Sequence, residues 1–350
     1  MVTSNKCDLV VVDPALMDYR VGLWGGLNKV IPLRLYCGTI QVADYYEFEI
    51  NKVRVRNFLG LHWYSDVLAY VIKNRPQKLL ISFDSKSITM WLLLFVTKVL
   101  RIDCYIFGHG LFKSGNYFFL RRILYLLLLR LSTKYLCYNK LVYDSLKSLN
   151  VGRLFNIDNV VSNDFPIFPS AKTGYEQGVL FIGRSRPGAE LKLLISAVIK
   201  INDQMDNKIK LHIIGDDCGL KYIYEDVPEL IFYGQVFDKK IISDISVECR
   251  VGAYAGDAGL SVLHYMSLSL PVIVHSSLTM HMGPEPYSVI DGYNGFNFKR
   301  LDVVSLISAI NKSFELDIKR YRDISSNAYI TYENKVKPFS YSDRLIEALK

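Results

Sequence analysis

The chain lacks most of the short signatures that would fix its chemistry at once. No G-x-G-x-x-G follows an apolar run, which argues against a dinucleotide-dependent oxidoreductase. No H-E-x-x-H is present, and no close carboxylate cluster accompanies His275 and His281, so these histidines form no metal set by pattern. The six cysteines (Cys7, Cys37, Cys104, Cys137, Cys218 and Cys249) include no C-x-x-C pair, and read as buried, reduced thiols of a cytosolic chain. The opening MVTSNKCDLVVVDPAL carries only a short apolar run, broken by Asp13, and reads as a first strand rather than a signal peptide. The two most apolar runs, Met90–Val96 and Ile123–Leu129, stop short of the ~18 residues that suggest a membrane span. There is no internal repeat, low-complexity tract or coiled-coil heptad.

Acidic residues are scarce in one region. Residues 51–150 hold 16 Lys/Arg against 4 Asp/Glu, while the chain as a whole carries a net charge of +8. The same region contains both apolar runs. Basic charge beside apolar helices suits an anionic membrane surface. Burial of most of the apolar residues as helices of an α/β domain accounts for the hydrophobicity, leaving the excess charge for a weak membrane contact. No nucleic-acid-binding motif accompanies the charge.

What is present is a large core and a regular alternation. Half of the 350 residues are hydrophobic, enough for two domains. Short β-rich runs alternate with helical segments, which predicts parallel α/β architecture. Strands are expected at 8–12, 78–82, 104–107, 135–138, 154–157, 178–182, 209–214, 230–233 and 251–253. Helices are expected at 63–74, 88–100, 117–131, 140–149, 189–202 and 239–247. A linker fits at 162–177, SNDFPIFPSAKTGYEQ, with two prolines and many turn formers. The tail ends in an amphipathic helix, DRLIEALK.

The most informative stretch is 253–298. A Gly-rich turn (Gly256, Asp257, Ala258, Gly259) leads into an apolar helical segment, Leu260–Met266. Pro271 opens a short strand, PVIV, and a polar loop carrying His275, His281 and Glu285 follows. A glycine turn at a helix start presents backbone N–H groups that suit a diphosphate. This segment resembles the donor-binding motif of retaining GT-B glycosyltransferases, in particular glycosyltransferase family 4. The resemblance rests on Gly259, Leu260, Met266, Pro271, Val272, Ile273, Gly292, Asn294 and Gly295. It is good from about 178 to 310 and patchy before. The family's two glutamates fall on Gly256 and His264, so both carboxylates are absent, and Asp257 is an acid one residue out of register.

The resemblance implies a GT-B fold, two Rossmann-like doubly wound domains facing a central cleft. An acceptor-side domain would span 1–165, a nucleotide-sugar domain 166–330, and a helix at 331–350 would cross back to the first. Phe181-Ile182-Gly183-Arg184 resembles the family's diphosphate-binding F-x-G-R; Ala189 stands where a lysine is usual, with Arg186 or Lys192 as replacements. LHIIGDD around Gly215 resembles the strand-Gly element beside the nucleotide, where Asp216 either bonds ribose or caps a helix. Phe232–Val236 around Gly234 resembles the element near the base. His109, between two glycines after an apolar strand, matches the family's first-domain histidine near the reaction centre, or merely bonds its loop. Gly25 and Gly26, in GLWGGL, match a glycine-rich loop for phosphate or acceptor.

The donor set is thus Gly183, Arg184, Arg186, Lys192, Gly215, Gly234, Asp257, Ala258, Gly259 and Leu260, with His109, His264 and Glu285 at the sugar. The absence of D-x-D argues against a metal-dependent GT-A enzyme. The implied activity is hexose transfer, with retention and without metal or other cofactor. The donor would be a nucleotide diphosphate sugar and the acceptor a carbohydrate, such as a lipid-linked O-antigen or capsule oligosaccharide. Such an enzyme would be cytoplasmic, peripheral to the inner face of the cell membrane, with no nucleic-acid partner. The competing reading, prompted by the missing glutamates, is a non-catalytic GT-B-like sugar-binding or scaffold subunit.

Overall fold

The structure, a computed structural model, describes residues 8–41, 48–64, 66–111, 118–158, 172–336 and 341–350. The chain divides into two compact units, one of residues 1–162 with 339–350 and one of 163–338. Most of the expected linker, residues 162–171, lies outside the described residues, as does Cys7.

The first unit runs β1 (Leu9–Val12), β2 (Ala15–Met17), α1 (Asp18–Asn28), β3 (Leu33–Cys37), β4 (Thr39–Gln41), β5 (Glu49–Lys52), β6 (Arg56–Phe58) and β7 (Leu61–Trp63). It continues through α2 (Asp66–Asn74), β8 (Lys78–Ser82), α3 (Ile88–Leu100), β9 (Asp103–Gly108), α4 (Phe118–Leu131), β10 (Lys134–Cys137), α5 (Lys140–Lys147) and β11 (Leu154–Asn156). Seven of these strands form one sheet in the order β11-β10-β9-β8-β1-β3-β5, with every pairing parallel. The central β1, LVVV, is buried at all four positions. A strand covered on both faces reads as a continuous apolar run, which is why it was legible in sequence. The order reverses between β1 and β8.

The second unit runs β12 (Gly178–Ile182), α6 (Leu191–Asn202), β13 (Lys210–Ile214), α7 (Leu220–Ile223), β14 (Leu230–Gly234), α8 (Lys239–Val247), β15 (Cys249–Ala253) and α9 (Ser261–Ser267). It ends with β16 (Val272–His275), β17 (Gly295–Phe298), α10 (Val303–Glu315) and α11 (Ile318–Val336). Its six-stranded sheet has the order β14-β13-β12-β15-β16-β17, again parallel throughout, and reverses between β12 and β15. The chain closes with α12 (Tyr341–Leu349), which belongs to the first unit.

Three expectations are corrected. Gly25 and Gly26 do not lie in a loop but inside α1. Glycine disfavours a helix interior by about 1 kcal/mol relative to alanine, so tertiary packing must hold this one. Trp24 and Leu27 are buried, and a Cβ on Gly26 would come within 3.0 Å of Ser342 Oγ on α12. The glycine lets two helices approach closely. The last carbonyls of α12 are tied down in turn: Tyr105 donates to Leu349 O at 3.1 Å and Lys134 to Ala348 O at 2.6 Å.

The second correction concerns the apolar helices. α3 buries Met90, Leu93 and Leu94, and α4 buries Tyr125, Leu128 and Leu129, yet Leu92, Phe95, Ile123 and Leu127 face outward. The third concerns the thiols. Cys37, Cys104, Cys137 and Cys249 are buried and free, but Cys218 is exposed. Burial pushes the Cys104, Cys137 and Cys249 thiols up to about 12, so they are inert as nucleophiles.

Candidate functional site

In an open parallel sheet, ligands bind beyond the carboxyl ends of the strands where the strand order reverses. In the second unit this point lies between β12 and β15. Gly183–Arg186 follow β12, Gly215 follows β13, Gly234 closes β14, and Tyr254–Leu260 follow β15. The structure brings these loops into contact. Gly215 has φ +127, and a Cβ there would fall 1.7 Å from Gly183 O. Its N–H donates to Gly234 O at 2.7 Å, and Gly183 N–H donates to Ile214 O at 3.0 Å. Only glycine permits that crossing.

Gly256, where the resemblance places the first glutamate, is closed to any side chain: a Cβ there would lie 2.0 Å from Gly188 O. Asp257 next to it is already committed. Its carboxylate accepts from Arg300 Nε at 3.1 Å, from Arg300 Nη2 at 3.3 Å and from His275 Nε2 at 3.2 Å. Burial pushes this carboxyl up, but Arg300 and His275 outweigh it, and the net shift is downward. The Asp257 carbonyl accepts from Arg186 Nη2 at 2.9 Å. Arg186 therefore braces the β15 loop against the β12 loop, while Arg184 stands exposed at the strand end. Lys192 is exposed in the first turn of α6.

The polar loop after β16 folds under this turn. His275 and His281 stack with ring centroids 3.7 Å apart and planes within 5°. His281 Nδ1 accepts the Ala258 N–H at 3.0 Å, so its own proton sits on Nε2, which donates to His275 O at 2.9 Å. Burial lowers His275 below the usual histidine range, which suits a neutral ring donating to Asp257. The two histidines that fit no zinc pattern thus clamp the site loop. The clamp takes the Ala258 amide, and Gly188 O takes the Asp257 amide at 2.6 Å, so neither of these N–H groups faces a diphosphate. This corrects the expectation for Ala258.

Gly259 differs: a Cβ there would meet nothing closer than 3.8 Å. The fold leaves that space open. Glu285 is buried, and its Oε2 would lie 3.9 Å from a Cβ on Gly259, which puts its carboxylate beside the start of α9. α9 begins at Ser261, one residue later than expected, so Leu260 lies just before it. His264 sits one turn into that helix. Burial pushes its imidazole down to about 4, with Lys239 adding to the effect, so it is neutral at pH 7. Asp216 Oδ1 accepts from Cys218 N–H at 3.0 Å, which serves the turn before α7.

His109 belongs to the first unit, directly after β9. Its carbonyl accepts from the hydroxyls of Tyr125 and, at 2.8 Å, Tyr135. Its exposed ring meets the Tyr138 ring edge-on, with centroids 4.6 Å apart. Tyr138 OH accepts from Arg20 Nη2 at 3.1 Å, and Arg20 pairs with the buried Asp13. Burial pushes the Asp13 carboxyl up against the pull of Arg20.

A cavity of about 200 Å³ opens at the reversal point of this sheet, lined by Asp13, Tyr36, Asn57, His62, Tyr64 and Asp84 among others. His62 Nε2 and Asp84 Oδ2 are 2.8 Å apart. Sequence reasoning missed Asp13, Arg20, His62, Asp84 and Tyr138. The signal for Asp13 and Asp84 was their place, just past the ends of the apolar strands β1 and β8. Among the described residues no group of three or more His, Cys, Asp or Glu is arranged to hold a metal ion.

Residues 176–315 match the family model described as "Glycosyl transferases group 1". No curated protein matches the chain. Among solved structures, HepE of Anabaena, crystallised with UDP and glucose, is similar at 15% identity over 98% of this chain and 99% of that one, with TM-score 0.68. A sucrose-phosphate synthase from Thermosynechococcus elongatus is 14% identical over 97% and 96%, with TM-score 0.70. The lipopolysaccharide outer core galactosyltransferase WaaB is 12% identical over 97% and 98%, with TM-score 0.68. The chain has the GT-B fold of two Rossmann-like domains, and its residues 176–315 are similar to the group 1 glycosyl transferase domain.

Proposed function

We propose that the protein is a retaining glycosyltransferase that moves a hexose from a nucleotide diphosphate sugar to a carbohydrate acceptor. The observation that carries the reading is the cluster at the reversal point of the second sheet. Arg184 is exposed after β12, Arg186 braces the facing loop, and Gly259 leaves room for a ligand beside Glu285. An arginine fork donates two bonds to phosphate oxygens and suits the charge of a leaving diphosphate. With Arg184, Arg186 and Lys192 supplying that charge, we expect no requirement for a divalent cation or any other cofactor. His264 is neutral and works as a hydrogen-bonding group, in place of the glutamate the resemblance would put there. The cavity between β1 and β8 suits acceptor hydroxyls, with Asp13, Asn57 and the His62–Asp84 pair as polar partners.

UDP and glucose are what HepE was crystallised with, and WaaB acts on lipopolysaccharide outer core. Together with the basic first unit, these favour UDP among donor bases and a lipid-linked O-antigen or capsule oligosaccharide as acceptor. Such an acceptor places the protein at the inner face of the cell membrane. The test is a screen of UDP-, GDP- and dTDP-sugars by thermal shift, followed by turnover with chelator present and NMR of the product's anomeric proton. A donor at 100 times its dissociation constant stabilises the fold by about 2.7 kcal/mol. No shift with any donor, or an inverted product, overturns the reading.

A scaffold subunit remains a second reading because Gly256 is sterically barred from holding a carboxylate. Donor hydrolysis above background separates the two.

A further inference from the structure

A helix that only covers a sheet hides one face and wets the other. α3 and α4 do not follow that rule. On α3, Leu92, Phe95 and Val99 are exposed, the last two by 62% and 65%. On α4, Phe119 and Leu120 are exposed by 76% and 58%, and Ile123 and Leu127 by 47% and 46%. The spacings 92/95/99 and 120/123/127 are both i, i+3, i+7, so each set is one stripe along one helix. The two helices touch. Single exposed apolar residues need no explanation, but a stripe on each of two touching helices does.

The charges along this stretch are nearly all of one sign. Between Ser85 and Tyr143 the chain has nine Lys/Arg and one acid, Asp103. Lys98, Arg121, Arg122 and Arg130 on these helices, and Arg101 just after α3, are all exposed. No helix among the described residues is long and apolar enough to cross a membrane.

We propose that this two-helix face of the first unit is a docking surface for an anionic phospholipid bilayer. Phe95, Val99, Leu120 and Ile123 enter the boundary between headgroups and acyl chains. The arginines and Lys98 pair with lipid phosphates. An amphipathic face with cations on its rim and large apolar residues at its centre fits an interfacial surface. A nucleic acid would use the cations but leave Phe95 and Leu120 with nothing to bury. The proposal deepens the membrane-partner part of the function proposed above and rests on that reading only for its purpose; lipid binding itself does not require the transfer activity.

The test is flotation of the full chain with pure phosphatidylcholine vesicles and with mixed phosphatidylglycerol/phosphatidylcholine vesicles, at low and high salt. We expect flotation with the mixed vesicles at low salt, and its loss in high salt or without the anionic lipid. A Phe95→Ser/Ile123→Ser variant and, separately, an Arg121→Glu/Arg122→Glu variant should each lose most of it. Both should keep the wild-type melting temperature and the same donor hydrolysis in solution, because none of these side chains belongs to the core or to the candidate site. Flotation that ignores either variant, or that is equal on neutral vesicles, overturns the proposal. So does a wild-type dimer in sedimentation that the serine variant converts to monomer with no lipid binding by either, since the face would then join two copies of the chain. Failure of every nucleotide sugar to bind would leave the flotation result standing.

Discussion

Three glycines near the second sheet's reversal point serve different ends, and substitution should sort them. A Cβ on Gly215 or Gly256 would overlap backbone of the neighbouring loop, and Gly215 also needs a positive φ. Gly215→Ala should therefore destabilise the fold by several kcal/mol or prevent folding, read as lost soluble yield or a lowered Tm. Gly259→Ala meets no protein atom within 3.8 Å and should fold normally, yet weaken donor binding because the added methyl enters the ligand's space. Calorimetry with UDP-sugar checks this; an unchanged Kd would move the diphosphate away from Gly259.

Arg184→Ala should weaken the same Kd by roughly 1.5–3 kcal/mol, the worth of a charge-assisted bond, without lowering Tm. His109→Ala belongs with these. Its ring is exposed while its carbonyl is anchored by two tyrosines, so the side chain can be removed without disturbing the loop. The expected outcome is a fall in kcat of ~100-fold or more with little change in nucleotide Kd, measured by steady-state kinetics and titration.

At the scale of elements, the parallel strands buried on both faces were legible because continuous apolar runs mark them, as in LVVV of β1 and GVLFI of β12. The strands β2 to β7 were not. β2, β4, β6 and β7 span three residues each, and β6 is exposed throughout, so no hydrophobic pattern announces them. α1 was hidden by its glycines, and what makes it a helix is a partner more than 300 residues away in the chain, α12. The position of a candidate residue was legible where it follows a strand end, as with Arg184. It was not legible where it depends on residues that meet only after folding, as with Asp257, Arg300 and the His275–His281 stack.

The dependence of the first unit on α12 is itself testable. Arg344 on that helix donates to Ile157 O at 2.8 Å, and Tyr105 and Lys134 hold its last turn. Removing residues 341–350 strips the cover from Gly26 and should lower the Tm of the first unit. Hydrogen exchange should localise the loss of protection to α1 and the parts of the first unit that α12 contacts, and leave the second unit unchanged.

At the scale of the whole molecule, pH should act through histidines buried neutral in the second unit. Burial pushes His264 down to about 4, and His275 shifts in the same direction. Both titrate near 6.5 when unfolded. Between about pH 6.5 and 4 the unfolded chain takes up protons that the folded chain refuses, so stability falls as pH falls through that window. For His264 the shift sets an upper bound of roughly 3 kcal/mol. The depressed Asp257 works with it at lower pH: the stability its ion pair contributes is present above the unfolded carboxylate pKa and is lost as pH drops through the folded one. His264→Gln keeps a polar side chain of similar reach and cannot take up a proton. Melting curves across pH 7 to 4 should therefore be flatter for this variant than for wild type, with the difference confined to pH below about 6.5. Parallel curves would mean that the His264 ring is hydrated enough to titrate normally and is not held neutral by burial.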